Sequence, residues 1–324
     1  AGRFGGGTAL IEILDQTRTP MGGRLLRRWL GQPLLDKVEL ERRLDVVDWL
    51  HTSSTRREET SKLLASISDL ERLVNRIYSG VALPRELVTL RHSLDAIPGL
   101  ARLLSEGKEA TQWLCDITVP CEEAANIIAQ AISDEAGALG SQAVSIRPGF
   151  SAELDDLRVT SLNAKNYVAG LERQERIRSG INTLKVGYNK IFGYFLEVSN
   201  SHLGKVPKDY IRRQTLVNAE RFITPELKEY ESLILNAGER LAELENTLFR
   251  DVCKKVSDKG EEILKTATAV AQVDVFYSLA EIASRHSYVR PILTEDGAMA
   301  VQGGRHPVVE RVIPSGTFVP NDIT

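Results

Sequence analysis

Between Asn182 and Thr224 the chain gathers Lys185, Lys190, Lys205, Lys208, Arg212, Arg213 and Arg221 against only three acids, Glu197, Asp209 and Glu220. The segment carries a net charge of +4 while the whole chain carries −3, which leaves −7 on everything else. A basic segment on an acidic body is what phosphate recognition at one end of a protein requires, because the acidic remainder discourages indiscriminate sticking. The same lysines would also keep the edges of a solvated hairpin from pairing with other strands. Charge alone leaves those two readings level.

Other chemistry finds little support. His51, His92, His202, His286 and His306 are scattered with none at H-x-x-x-H spacing, and Cys115, Cys121 and Cys253 form no C-x-x-C pair. Neither a metal site nor a disulfide framework is expected, and reduced thiols fit a cytoplasmic protein. The phosphate-loop pattern G-x-x-x-x-G-K-[ST] fails at both Gly-Lys pairs. Gly107-Lys108 is followed by Glu109 and preceded at the required position by Arg102; Gly204-Lys205 meets Val206 and Ser199. Gly5-Gly6-Gly7 is a lone glycine run, and no nucleophile elbow is visible. No apolar run approaches the roughly 20 residues of a membrane span, since even the stretch from Leu30 to Leu35 is broken by Gly31, Gln32 and Pro33. The segment from Ala1 to Gly7 lacks the apolar core of a signal peptide and reads as a flexible lead-in. A cytoplasmic chain with no cofactor and no enzymatic activity of its own is expected.

The elements that must hold the basic segment are helical. With only 6% aromatic residues and abundant Leu, Ala, Glu and Arg, the chain favours helices over a β-sandwich, in about two or three domains. Thr19 and Pro20 open a basic amphipathic helix carrying Leu25, Leu26, Trp29 and Leu30. Asp36 and Glu39 have capping-box spacing, and Pro84 sits where a first-turn proline starts another helix. Helical texture continues through Ser133, and an all-α region is expected to end near Arg147, Pro148 and Gly149.

Two heptad-like seams flank the basic segment. Leu154, Leu157, Ser161, Ala164, Val168 and Leu171 are spaced 3, 4, 3, 4, 3; Tyr230, Ile234, Ala237, Leu241, Leu244 and Leu248 are spaced 4, 3, 4, 3, 4. These predict two antiparallel arms that bury their seams against each other and hold a tip tens of ångströms from their base. The returning arm starts at Thr224 and Pro225 and runs to about His286 with a break at Ser257 to Gly260. Within the tip, residues 183–189, 193–199 and 210–224 read as strands of a small β module that the arms should not need for their own folding. Beyond His286, residues 288–293, 298–302 and 308–312 also look like strands, and the chain reaches Thr324 as if within a domain.

Three blocks carry a family resemblance: TPMGGRLLRRWLGQPLL from Thr19 to Leu35, the segment from Leu184 to Glu231, and the segment from Gly303 to Ile323. With these blocks in this order, the chain resembles the MutS family of DNA mismatch-repair ATPases over nearly its whole length. The resemblance implies a mainly α fold: a helical core and lever at 8–150, an outgoing lever helix at 151–181, a β-rich clamp at 182–224, a returning helix at 225–286 and the start of an ATPase domain at 287–324. The family's mismatch-reading and connector domains and its phosphate loop have no counterpart here.

Carried over residue by residue, the resemblance puts DNA-phosphate contacts at Asn189, Asn218 and Arg221 first, and at Lys190, Arg212 and Arg213 after them. Val217 stands where some relatives have lysine, and only one of the adjacent Arg212 and Arg213 should face DNA. Phe318 matches a position that stacks on adenine in the full-length protein; within this stretch, packing in the core is the stronger expectation for it. The implied partners are double-stranded DNA and, for the full-length protein, a second copy of itself and a MutL-type protein, with ATP and Mg2+ as cofactors and no membrane. The rival reading is a MutS-like recombination or structural protein whose arms bind partner proteins; an unrelated enzyme comes third.

Overall fold

A computed structural model describes residues 9–136, 145–189, 191, 193–314 and 316–323. In chain order the helices are α1 (Leu10–Leu14), α2 (Pro20–Gly31), α3 (Lys37–His51), α4 (Ser54–Ala65), α5 (Leu70–Tyr78), α6 (Pro84–Asp95), α7 (Ile97–Ser105), α8 (Gln112–Ile117) and α9 (Glu122–Ala131). Then come α10 (Ala152–Ser179), α11 (Pro225–Ser257), α12 (Gly260–His286) and α13 (Val309–Val312). The strands are β1 (Lys185–Asn189), β2 (Gly193–Ser199), β3 (Ile211–Thr215), β4 (Ala219–Ile223), β5 (Val301–Gly304) and β6 (Asn321–Ile323). The protein is therefore mainly α with a small antiparallel β module, divided into a unit of residues 1–143 with 252–324 and a unit of residues 144–251.

The first unit is built around α12. Between Ala269 and Ala280 this helix is buried on nearly every side, with only Gln272 and Leu279 partly accessible, as expected of a helix surrounded by others. It packs against α2, α3, α4, α5 and α8. Trp29 and Trp113 lie against its central Phe276, with ring centroids 5.6 and 6.0 Å away. The surrounding helices start where side chains can satisfy their free first-turn amides. Thr19, Asp36, Ser53 and Asp69 each accept from the N–H three residues on. At Asp36 only half of the expected capping box forms, because Glu39 turns instead to Arg42 and Arg43.

A buried carboxylate fixes the entry of α2. Asp274 accepts from the Arg18 N–H at 2.8 Å and from both the N–H and the hydroxyl of Thr19 at 2.7 Å. Gly22 is required beside it, since a Cβ there would collide with the Asp274 carboxyl. The sequence Thr-Pro-Met-Gly is thus a cap, a helix starter and a gap for one acid.

In the second unit α10 and α11 run antiparallel. Tyr167 stacks on Tyr230 with centroids 3.7 Å apart, Arg158 pairs with Glu245 at 2.9 Å and Arg240 with Glu153 at 3.7 Å. The expected seam of α10 is present: Leu154, Ser161, Ala164, Val168 and Leu171 are buried and Leu157 is half-buried. On α11, Ile234 and Ala237 are buried, while Tyr230, Leu241, Leu244 and Leu248 are half-buried.

One expectation changes. Ala164, Val168, Leu171, Leu227 and Ile234 do not close only on each other; they share one apolar cluster with Leu196, Val198, Tyr210 and Phe222 of the β module. Four short strands cannot make a core alone, and this sheet finds its second layer in the outer halves of the two helices.

The sheet order is β1-β2-β4-β3, antiparallel throughout. Alternation sends Val186, Tyr188, Tyr194, Leu196, Val198 and Phe222 toward the helices, and Lys185, Gly187, Phe195, Glu197 and Arg221 to the opposite face. Gly187 is needed where the Phe195 ring lies across it, 2.5 Å from where a Cβ would stand.

The reading of residues beyond His286 needs correction. Residues 288–293 form no regular element, the predicted strand at 298–302 is displaced to β5, and the run from Val309 to Val312 is helical. His306 decides the last case: its Nδ1 accepts from the N–H groups of Val308 and Val309, both at 3.2 Å, which nucleates a turn that β-branched composition would not suggest.

Candidate nucleic-acid interface

The expected phosphate-contacting residues are not one cluster. Asn189 ends β1 and its Oδ1 accepts from the Ile191 N–H at 2.8 Å, closing the first hairpin. Lys190 lies outside the described residues. Asn218 sits at the other end of β2, exposed in the β3–β4 turn, where its carbonyl and that of Val217 accept from Asn200. The length of β2, from Gly193 to Ser199, separates the two ends by about 20 Å.

Two of the three arginines are already engaged. Arg212 pairs with Glu220 at 3.0 Å on the helix-facing side of the sheet. Arg221 donates to Glu197 at 2.9 Å and to Gln214 at 3.1 Å, and its guanidinium lies 4.1 Å from the centroid of the Phe195 ring. Arg213 differs from both. It occupies the register shift between Arg212 and Gln214, is exposed, and makes no ion pair among the described residues. A bulge releases a residue from strict alternation, which explains how Arg213 is freed while its neighbour is bound.

The module's anions are all consumed. Glu197 and Glu220 are held as above, and Asp209 is bound by Arg178 of α10 at 2.7 Å, a pairing that holds its carboxyl below the usual carboxylate range. Among the described residues, the module's cations left without an ion pair are Lys185, Lys205, Lys208 and Arg213, all exposed. Lys185, Lys205 and Lys208 contribute to the net charge but not to the residues picked by resemblance. The detectable signal was the acid count: three acids can neutralise only as many of the cations.

Behind the sheet a buried network fixes its attachment. Glu175 of α10, nearly fully buried, accepts from the Tyr210 hydroxyl at 2.6 Å and from Arg178 at 3.0 Å. Burial, with Glu175 beside it, pushes the Tyr210 hydroxyl well above its ordinary range, so it stays a donor.

Elsewhere the chemistry is quiet. No group of three or more His, Cys, Asp or Glu among the described residues is placed to hold a metal. Burial pushes the Cys253 thiol up to about 11 and raises that of Cys121, the opposite of an activated nucleophile. Phe318 is half-buried in an irregular segment before β6, not within a strand. Among the described residues no helix is long and apolar enough to cross a membrane.

Residues 2–280 match the family described as MutS domain III. The DNA mismatch repair protein MutS of Dehalococcoides mccartyi (strain CBDB1) is 44% identical over 319 residues, covering 98% of this chain and 37% of the relative. That of Pelotomaculum thermopropionicum is 46% identical over 315 residues, 97% of this chain and 36% of the relative. That of Methanosarcina acetivorans is 44% identical over 320 residues, 97% and 35%. The chain spans little more than a third of the length of these relatives. With a domain III match over most of its length and 44% identity to a curated MutS across 98% of the chain, this chain belongs to the MutS family of mismatch-repair proteins.

Proposed function

We propose that this chain is the lever and clamp region of a MutS-type protein, whose β module grips duplex DNA by its phosphates. The observation that carries this reading is the set of four exposed cations, Lys185, Lys205, Lys208 and Arg213, on a module whose own acids are all paired. Asn189 and Asn218 add hydrogen-bonding groups at the two ends of the sheet, and Lys190, next to Asn189 in sequence, is a further candidate cation; Arg212 and Arg221 chiefly set the shape of the sheet. Such contacts position a duplex without reading its sequence, because phosphates carry no base identity.

Helices α10 and α11 share the sheet's apolar core, so a force on the sheet is a force on both helices. In the longer protein they would couple DNA at the module to a nucleotide-binding domain reached through residues 287–324, with each ligand altering affinity for the other reciprocally. The exposed Val289, Ile292 and Val319 support a covering domain there. ATP and Mg2+, a second copy of the chain, a MutL-type partner and a cytoplasmic location belong to that whole protein; this stretch by itself turns nothing over.

Fluorescence anisotropy with a labelled 20-base-pair duplex at several salt concentrations tests the reading. Four phosphate neutralisations at about −0.9 each predict a log–log salt slope between about −3 and −4, indifferent to a central mismatch. Arg213→Ala and Lys185→Ala should each make it shallower by about one. Absence of salt-dependent binding, or slopes unmoved by both substitutions, would refute the assignment.

A further inference from the structure

The helix-facing side of the β module holds a second feature that the duplex reading leaves unused. A groove of about 540 Å³ runs between α10 and the edge strand β1, lined by Lys165, Arg173 and Arg176 from the helix and by Val186, Tyr188 and Tyr194 from the sheet. We propose that this groove binds single-stranded nucleic acid, with phosphates on Lys165 and Arg173 and one unstacked base on the Tyr188 ring.

The charges favour an anion. Glu172 is the groove's one acid, and it is spent: it pairs with Arg176 at 2.7 Å and accepts from the Val186 N–H at 3.0 Å. Lys165 and Arg173 are exposed and have no ion pair among the described residues. Eight residues apart on α10, they stand about 80° apart around the helix and about 12 Å apart along its axis, both bordering the groove, a span that tracks a backbone better than a single ion.

The aromatic wall favours an open strand over a duplex. Tyr188 is 52% exposed although it sits on the face that carries the sheet's core. It leans on Tyr194 with centroids 4.9 Å apart at 55° and takes no part in the apolar cluster, so the rest of its ring is uncovered. Cations beside a free aromatic face are the elements with which single strands are held: the groove follows the phosphates and the ring accepts any base. Bases within a duplex are stacked on each other and have no face to offer. Lys185 and Arg221 lie on the other side of the sheet, so the two ligands would use different surfaces.

The test uses the complete 324-residue chain, with fluorescein-labelled dT12 and a 12-base-pair duplex as probes. Loss of one base stack predicts that Tyr188→Ala weakens dT12 binding by about 5- to 100-fold, while Tyr188→Phe, which keeps the ring, restores it. Duplex affinity should stay within about twofold. Arg173→Ala should make the dT12 salt slope shallower by about 0.7, and does so without touching the sheet. Lys185→Ala should show the reverse preference, weakening duplex more than dT12. Unchanged dT12 binding by both Tyr188→Ala and Arg173→Ala, or equal losses on the two probes, would overturn the proposal. Displacement of dT12 by dTMP at equal phosphate concentration would also overturn it, by showing that a single nucleotide rather than a strand fills the groove.

Discussion

Replacing Asp274 by alanine should destabilise the helical unit by about 3 kcal/mol, although the residue is far in sequence from what it holds. Its carboxylate satisfies the N–H of Arg18 and both donors of Thr19. Thr19 is 3% exposed, so its amide would be stranded, at about 1–3 kcal/mol. Arg18 is exposed and its amide can turn to water, at little cost. Thr19 also caps α2 by accepting from Gly22 at 3.0 Å; losing the acid that holds it should weaken a cap worth about 1 kcal/mol. At about 2–4 °C per kcal/mol for a unit of this size, the midpoint of thermal unfolding should fall by about 6–12 °C. Gly22→Ala should act in the same direction, because its Cβ would displace the carboxyl.

The pH dependence has a definite sign. Burial pushes the Asp274 carboxyl above its ordinary range against the pull of its three donors. A carboxyl raised in the folded state binds its proton more tightly there, so its contribution is fully present below the unfolded pKa of about 4 and declines as pH rises through the folded value. The gap between parent and Asp274→Ala should therefore narrow from pH 4 toward neutrality. Calorimetry across that range checks both parts: a midpoint within about 2 °C of the parent at every pH, or a gap that widens with pH, would refute the reasoning.

Three further outcomes follow from the same structure. The double substitution Glu197→Gln with Arg221→Gln should leave the duplex salt slope within about 0.3 of the parent, since the two charges neutralise each other; a slope shallower by about 0.9 would show Arg221 on a phosphate instead. Replacing residues 182–224 by a short Gly/Ser turn should strip amide-exchange protection from the outer half of α10, which loses the partners of Val168 and Leu171, and retained protection there would disprove the shared core. Purified chain should show no magnesium-dependent ATP turnover, because neither Gly-Lys pair continues into a phosphate loop; turnover that survives repurification and a chaperone-free control would contradict this.

How much could be read without coordinates depended on how local each signal was. Thr19 and Pro20, Pro84, the break between Ser257 and Gly260, and the strand from Gly193 to Ser199 were legible because capping, proline geometry and period-two alternation act within a few residues. The seam of α10 was legible for the same reason, as a repeat of 3 and 4. The surplus of basic charge in the inserted module also followed from composition alone.

Pairing decisions needed the tertiary structure. Arg212, Arg213 and Arg221 look alike as letters; the register shift in β3 and the positions of Glu197 and Glu220 bind two and free the third. Nothing in the letters tells how far Asn189 lies from Asn218; the strand order puts β2 between them. Asp274 meets Thr19 across 255 residues, and Val309 to Val312 is helical because a histidine three residues upstream caps it. Local chemistry determined which elements form; which charges remain available to a ligand was decided by contacts between elements, since a salt bridge needs a partner within a few ångströms and sequence separation says nothing about that distance.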